Sequence, residues 1–293
     1  MVVDGFIVVD KPGGMTSHDV VARVRRLAKT RRVGHGGTLD PMATGVLIVG
    51  VNRATRLLTY VIGARKSYLA TIRLGESTVT DDAEGEITAR ASAAAVTDEA
   101  VRAGLAALTG EIEQVPSAVS AIKINGRRAY QRVREGEDVE LPARAVTVHR
   151  LDILAIRRPG DAIEVDIDVT VSSGTYVRAI ARDLGRALGV GGHLTALRRT
   201  AVGDFGIDVA ATLAEIEERA PDVIGVPMAD AARRAFPKRT ATPDEAKVLR
   251  HGGPLDPVGM DGPYAVFDES GEVLAIVSER DGRARAEIVL APA

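Results

Sequence analysis

Cysteine is absent from the 293 residues, which excludes disulfides, thiolate zinc sites and iron–sulfur clusters. It also excludes any reaction in which a thiol attacks C6 of a pyrimidine, so a nucleophile in this chain carries oxygen or nitrogen. Tryptophan is absent too, and five Tyr and four Phe are all the aromatics there are. Each one outside a core position is therefore a candidate for function. Apolar runs are short, as at 6–9 and 46–49, whereas a membrane-spanning helix needs about 20 such residues. The N-terminus has no basic region ahead of a long apolar stretch, and the expectation is a cytoplasmic protein with no membrane association. No GxGxxG follows a strand, and GxxxxGK[ST] and HExxH are missing. The five histidines lack metal-ligand spacing. Neither a cofactor nor a metal is expected.

What is present is the composition of a folded protein, 45% hydrophobic and 27% charged. The length suits one large domain plus a small one. A net charge of −2 argues against a generic nucleic-acid binder, but the charges are segregated. Residues 23–32 (RVRRLAKTRR) hold six basic residues and no acid, and basic clusters recur at 127–128, 132–134, 157–158 and 198–199. Acids collect at 76–86, 98–113 and 215–222. Such segregation can give a neutral molecule a basic face, although any one cluster reads equally well as solvated surface.

Residues 5–11 read as a strand closing in a Pro-Gly-Gly turn. Thr16 and Asp19 resemble a capping box, and Val20, Val21, Val24, Leu27 and Ala28 follow at helical spacing, with the arginines on the opposite face. The glycine-rich stretch 33–45 reads as irregular, 46–51 as a strand, 54–61 as a short helix and 66–74 as an alternating strand. Residues 81–85 read as a polar turn, 97–108 as an amphipathic helix, and 176–188 as a helix stopped by the following glycines. Strand-like segments recur at 118–124, 146–156 and 163–171. The hydrophilic stretch 125–142 reads as a projecting segment. Beyond about 234, short strands at 264–268, 273–277 and 286–290 alternate with turn residues. Without regular βαβ spacing, this order predicts an α+β fold with a mixed, largely antiparallel central sheet.

The densest chemical feature is 31–47, RRVGHGGTLDPMATGVL. Its glycines let the backbone approach a ligand closely. Pro41 pushes Asp40 toward extended geometry, presenting the carboxylate to a cleft. On these grounds alone a simple Asp-Pro turn, with the Asp as a cap, is the better reading.

This segment resembles the catalytic motif of the TruB family of pseudouridine synthases, the bacterial tRNA pseudouridine-55 enzymes. Further matches run in order: Val9-Asp10-Lys11-Pro12 with Gly14-Met15-Thr16-Ser17, Lys66-Ser67-Tyr68, 116–123 (PSAVSAIK), 174–178 (GTYVR) and 193–199 (HLTALRR). The resemblance covers about 5–205. It implies the pseudouridine synthase fold in a catalytic domain over 1–233, with an RNA-clamping insertion at about 124–143. A small β-rich, PUA-like RNA-binding domain would follow over 234–293.

By the same resemblance, Asp40 is the catalytic carboxylate that initiates conversion of uridine 55 in the tRNA T-loop to pseudouridine, after base flipping. Attack at C1′, addition to C6 and abstraction of the C2′ proton all remain open to it. Arg178 is its expected guanidinium partner, favouring the ionised form. Tyr68 would stack on the flipped uracil and could serve in proton transfer, and Tyr176 and Leu197 would wall the pocket. His35 would hold the displaced nucleotide, and Lys123 with the basic segment after it would clamp the T-arm. No cofactor and no obligate protein partner are implied, and a monomer is expected. Two other readings are a guide-dependent relative and a tRNA chaperone acting by binding alone; a catalytically dead relative is opposed by the joint presence of Asp40, Tyr68 and Arg178.

Overall fold

The computed structural model describes residues 3–119 and 141–293, with the backbone of two short antiparallel strands, Lys123–Ile124 and Arg127–Arg128. Most of the expected insertion at about 124–143, and the side chain of Lys123, lie outside the described residues. The chain divides into two compact units. One comprises Met1–Pro41, Gly45–Ile62 and Val202–Ala293, the other Met42–Thr44 and Gly63–Ala201. Among the described residues no helix is long and apolar enough to cross a membrane.

In the first unit, strand Gly5–Lys11 is buried at every position but Asp10. It lies antiparallel to both Thr44–Val51 and the short Val226–Pro227. A strand covered on both faces reads as a continuous apolar run rather than an alternating one, as these do. Helix Ser17–Leu27 starts at the capping box of Thr16 and Asp19 and buries Val20, Val21 and Val24.

The stretch 33–45 is not irregular throughout, as its glycines suggested. Val33–Gly36 is a strand paired antiparallel with Thr44–Val51, His35 facing Val49. The glycines are there for packing. A Cβ on Gly36 would meet Val61 at 3.0 Å, and one on Gly50 would meet Leu58 at 3.1 Å. Helix Leu58–Gly63 therefore sits so close on these strands that a Cβ at either glycine would crowd it.

The preceding turn Asn52–Leu57 and this helix also seat the C-terminal β-rich part of the chain. Arg53 donates to the carbonyl of Leu290 (2.8 Å), Arg56 to that of Val289 (2.6 Å), and the Tyr60 hydroxyl to Glu287 (2.6 Å). Burial and the adjacent carboxylate raise the Tyr60 pKa above the usual tyrosine range. The C-terminal part is a four-stranded sheet. Lys238–Thr240 runs parallel to Tyr264–Phe267, and Val273–Arg280 and Arg283–Val289 follow antiparallel. Its own core of Tyr264, Val266, Leu274, Ala275 and Val277 packs with Leu249 of helix Pro243–Arg250.

The second unit is built on strands Gly192–Val202, Lys66–Leu74, Ile163–Val171, Arg144–Arg157 and Gly110–Gln114, in that spatial order. Lys66–Leu74 and Ile163–Val171 alternate buried and partly exposed positions, as half-buried strands must. Ion pairs line the wetter face: Arg73–Glu164 (3.1 Å), Arg150–Asp168 (2.8 Å) and Arg157–Asp166. Arg158 is bound to Asp98 at 2.5 Å, so the basic pair 157–158 is engaged within the protein. Helices Asp98–Ala107 and Val177–Ala187 pack together, and the latter also packs on Lys66–Leu74.

Helix Val177–Ala187 is held at one depth by Gly185. A Cβ there would fall 2.2 Å from the backbone carbon of Gly191, and backbone cannot move aside as a side-chain tip can. Gly185→Ala should therefore lower unfolding stability by about 1–3 kcal/mol, read as a reduced urea midpoint at unchanged slope. An unchanged midpoint would show that the helix can shift at no cost.

Candidate active site

In the first unit the Asp40 loop is pinned from both sides by buried side chains. Lys11 is fully buried, and an ammonium out of water needs its donors filled. Its Nζ donates to the carbonyls of Pro12 (2.8 Å), Met15 (2.7 Å) and Pro41 (3.2 Å). The Pro41 carbonyl also accepts from Gly14 N–H at 2.8 Å. On the other flank, buried Ser17 Oγ accepts from Leu39 N–H (2.9 Å) and donates to Leu39 C=O (3.2 Å). Gly37, at φ +92°, makes the bend that leads into the loop. Residues 39 and 41 are thus fixed by contacts to residues 11–17, and half-buried Asp40 stands between them. His35, also half-buried, meets the ring of His18 edge-on, with centroids 5.5 Å apart.

Tyr68, Tyr176, Arg178 and Leu197 all belong to the second unit. Tyr68, 7% exposed, lies opposite Val169 on strand Lys66–Leu74, and Leu197, equally buried, lies on the neighbouring strand. Arg178 occupies the second position of helix Val177–Ala187 and is 4% exposed. Its guanidinium donates to Thr80 C=O (2.6 Å) and Val119 C=O (2.9 Å), and lies 3.4 Å from both Ser117 Oγ and the Asp82 carboxylate. The turn expected at 81–85 exists, but its Asp82 is buried and does structural work as well. Asp82 Oδ1 accepts from Thr80 Oγ1 (2.5 Å) and Glu84 N–H (3.0 Å). Its neighbour Asp81 takes a left-handed φ of +60° and pairs with Arg182 at 3.3 Å. Burial raises the Asp81 carboxyl above its usual range, against the pull of Arg182.

Tyr176 is the N-cap residue of the Arg178 helix and is gripped at both ends. The side-chain amide of buried Gln114 accepts from Tyr176 N–H (2.8 Å) and donates to Tyr176 C=O (3.1 Å). The guanidinium of Arg144 lies over its ring, 5.2 Å from the centroid.

Two expectations about charge change with the structure. The cluster 198–199 is not a solvated basic pair, because Arg199 is 1% exposed and among the largest fully buried side chains. The basic first helix is also partly committed: Arg23 makes a two-pronged bond to Glu217 (2.9 and 2.6 Å), and Arg25 donates to Val33 C=O at 3.0 Å. Sequence reasoning missed the holding roles of Lys11, Ser17, Asp82 and Gln114. Lys11 carried a signal, a lysine closing an apolar strand. Asp82 and Gln114 carried none, since their partners lie about 100 and 60 residues away in sequence.

Residues 25–177 match the family model described as TruB family pseudouridylate synthase (N terminal domain). Residues 178–222 match tRNA pseudouridylate synthase B C-terminal domain, and 236–291 match tRNA Pseudouridine synthase II, C terminal. The chain is 56% identical to the tRNA pseudouridine synthase B of Arthrobacter sp. (strain FB24), covering 99% of this chain and 97% of the relative. It is 55% identical to that of Thermobifida fusca (strain YX), covering 98% and 99%. Among solved structures it is similar to a chain of a Cbf5-Nop10-Gar1 complex, with a TM-score of 0.74 and 26% identity over 98% of this chain and 85% of that one.

Lys66, two residues before Tyr68, generates a pH prediction. It is 8% exposed, and burial, with Arg199 nearby, lowers its pKa from the usual lysine range to about 8. Between that value and the unfolded value of about 10.4, the unfolded chain keeps a proton that the folded chain has lost. Raising the pH through this window therefore favours folding. Wild type should gain stability relative to Lys66→Met between pH 8 and pH 10, read from paired urea midpoints. A difference between the two proteins that does not vary with pH would contradict the lowered value.

Proposed function

We infer the function from family membership: the chain belongs to the TruB family of pseudouridylate synthases, and it isomerises uridine in tRNA to pseudouridine. We propose uridine 55 of the T-loop as the target. The base leaves the stack before reaction, and Asp40 initiates the rearrangement that breaks the N1–C1′ bond and joins C5 to C1′. Whether the carboxylate attacks C1′, adds to C6 or takes the C2′ proton, it must be ionised and held still beside the nucleotide. The observation that carries this reading is the clamping of residues 39 and 41 by Ser17 and Lys11, which restrains the carboxylate's backbone before any substrate arrives.

Arg178 would keep Asp40 charged, a role that suits a guanidinium already immobilised in its own unit. Tyr68 would stack on the uracil and move the proton at C5, with Tyr176 and Leu197 as further walls. His35 would occupy space beside the displaced nucleotide. Lys123 and the insertion about 124–143 would close on the T-arm. In this reading 1–233 form the catalytic domain, and 234–293 form a PUA-like RNA-binding domain. The enzyme acts in the cytoplasm as a monomer, without cofactor, guide RNA or obligate protein partner.

The test uses an unmodified tRNA transcript tritiated at C5 of uridine. Wild type should release about one equivalent of tritium per tRNA without added cofactor or guide. Asp40→Asn should lower the rate by at least about a thousandfold while retaining tRNA binding, and product mapping should place pseudouridine at position 55. Tight binding without release by wild type would replace this reading with a binding role or a guided reaction.

A further inference from the structure

Among the described residues four helices start in the same way, whereas helices Val177–Ala187 and Met228–Ala235 start without a side-chain cap. Helices Ser17–Leu27, Asp98–Ala107, Leu213–Glu218 and Pro243–Arg250 each begin on a threonine (Thr16, Thr97, Thr212, Thr242) whose hydroxyl accepts from the third helical N–H. Threonine is among the favoured residues at that position, and large side chains without a short acceptor are not. Helix Val177–Ala187 carries Arg178 yet begins on Tyr176, with no side-chain cap. Its start needs another source of order, and the structure supplies one from outside the helix.

That source is a cross-strand pair. Gln114 ends strand Gly110–Gln114 and stands opposite Arg144 on the neighbouring strand. Gln114 is 1% exposed, and its amide bonds both the N–H and the C=O of Tyr176, as a partner strand would. Arg144 covers the Tyr176 ring and donates through Nη2 to Gly174 C=O. Its Nε is buried without a hydrogen-bond partner among the described residues. Its guanidinium lies instead against the aromatic face, where a cation is attracted to the ring. One residue therefore has its backbone held by Gln114 and its ring held by Arg144. Arg178 stands two positions further on, in the first turn of the same helix.

We propose that Gln114 and Arg144 are positioning residues for the isomerisation: they fix Tyr176 and, through the first helical turn, Arg178. They do this in place of a conventional cap, so that a tyrosine can stand where the helix would otherwise start on threonine. The inference rests on the reading of Tyr176 and Arg178 as working residues of the pseudouridine synthase. Gln114 has an amide's two-way hydrogen bonding as its whole qualification. A glutamate there keeps the shape and the acceptor for Tyr176 N–H, but when ionised it sets an acceptor against Tyr176 C=O.

The experiment compares wild type, Gln114→Glu and Arg144→Lys in single-turnover tritium release on the tRNA transcript at pH 8. Filter-binding Kd values and thermal midpoints are measured on the same preparations. The expected result is a first-order rate constant reduced about tenfold to a hundredfold in each variant, with Kd for tRNA within about twofold of wild type. Rates equal to wild type in a folded variant would overturn the proposal, as would losses confined to Kd. Should Gln114→Glu fail to fold, Arg144→Lys decides alone; it keeps the charge of a half-buried side chain and removes the plane over the ring together with the Nη2 bond to Gly174 C=O. An inactive wild-type control would fault the functional reading itself, and is distinguished from an active wild type with unaffected variants.

Discussion

A guanidinium withdrawn from water has to be surrounded by acceptors, and much of the second unit is arranged to do that for Arg178. Thr80 and Val119 give carbonyls, Asp82 gives a carboxylate and Ser117 an oxygen. These come from two segments far apart in sequence, and the cation itself comes from a third. Removing any one acceptor would leave a buried donor open, which costs more than the bond it made. The turn at 80–85, the stretch 115–119 and the start of helix Val177–Ala187 are thereby shaped together. The positive φ at Asp81 is where the backbone yields to that requirement.

The first unit uses the same physics with a different ion. Lys11 draws three backbone carbonyls around its ammonium. An ammonium that recruits carbonyls selects a loop conformation, because carbonyl directions are set by the backbone. A lysine thus writes the shape of the Asp40 loop from 30 residues away. A methionine of similar length would fill the volume without specifying where the carbonyls of Pro12, Met15 and Pro41 point.

Much of this was legible in the residues. The strand Lys66–Leu74 could be read to its ends because alternation is a local property. The first helix announced its start through Thr16 and Asp19 for the same reason. The motif around Asp40 also stood out, since glycines, an aspartate and a proline crowd one short segment. What escaped was non-local. Val33–Gly36 looked like loop because glycine is the usual sign of one, and only the presence of Leu58 and Val61 overhead explains it as strand. Gly110–Gln114 escaped because a short, charged strand has little pattern. Arg199 looked like surface because nothing in a run of basic residues tells which member turns inward.

The seat of the C-terminal sheet has a consequence for how the chain can drift over generations. Arg53 and Arg56 grip carbonyls at 290 and 289, and a carbonyl is the one feature every replacement residue would still offer. Of these three bonds, that of Tyr60 to Glu287 alone depends on side chains on both sides. Selection on the seat therefore falls on the arginines of the 52–63 segment far more than on the strand they hold. The final strand is left free to explore new outward-facing residues, and with them new surfaces, without first renegotiating its place in the molecule.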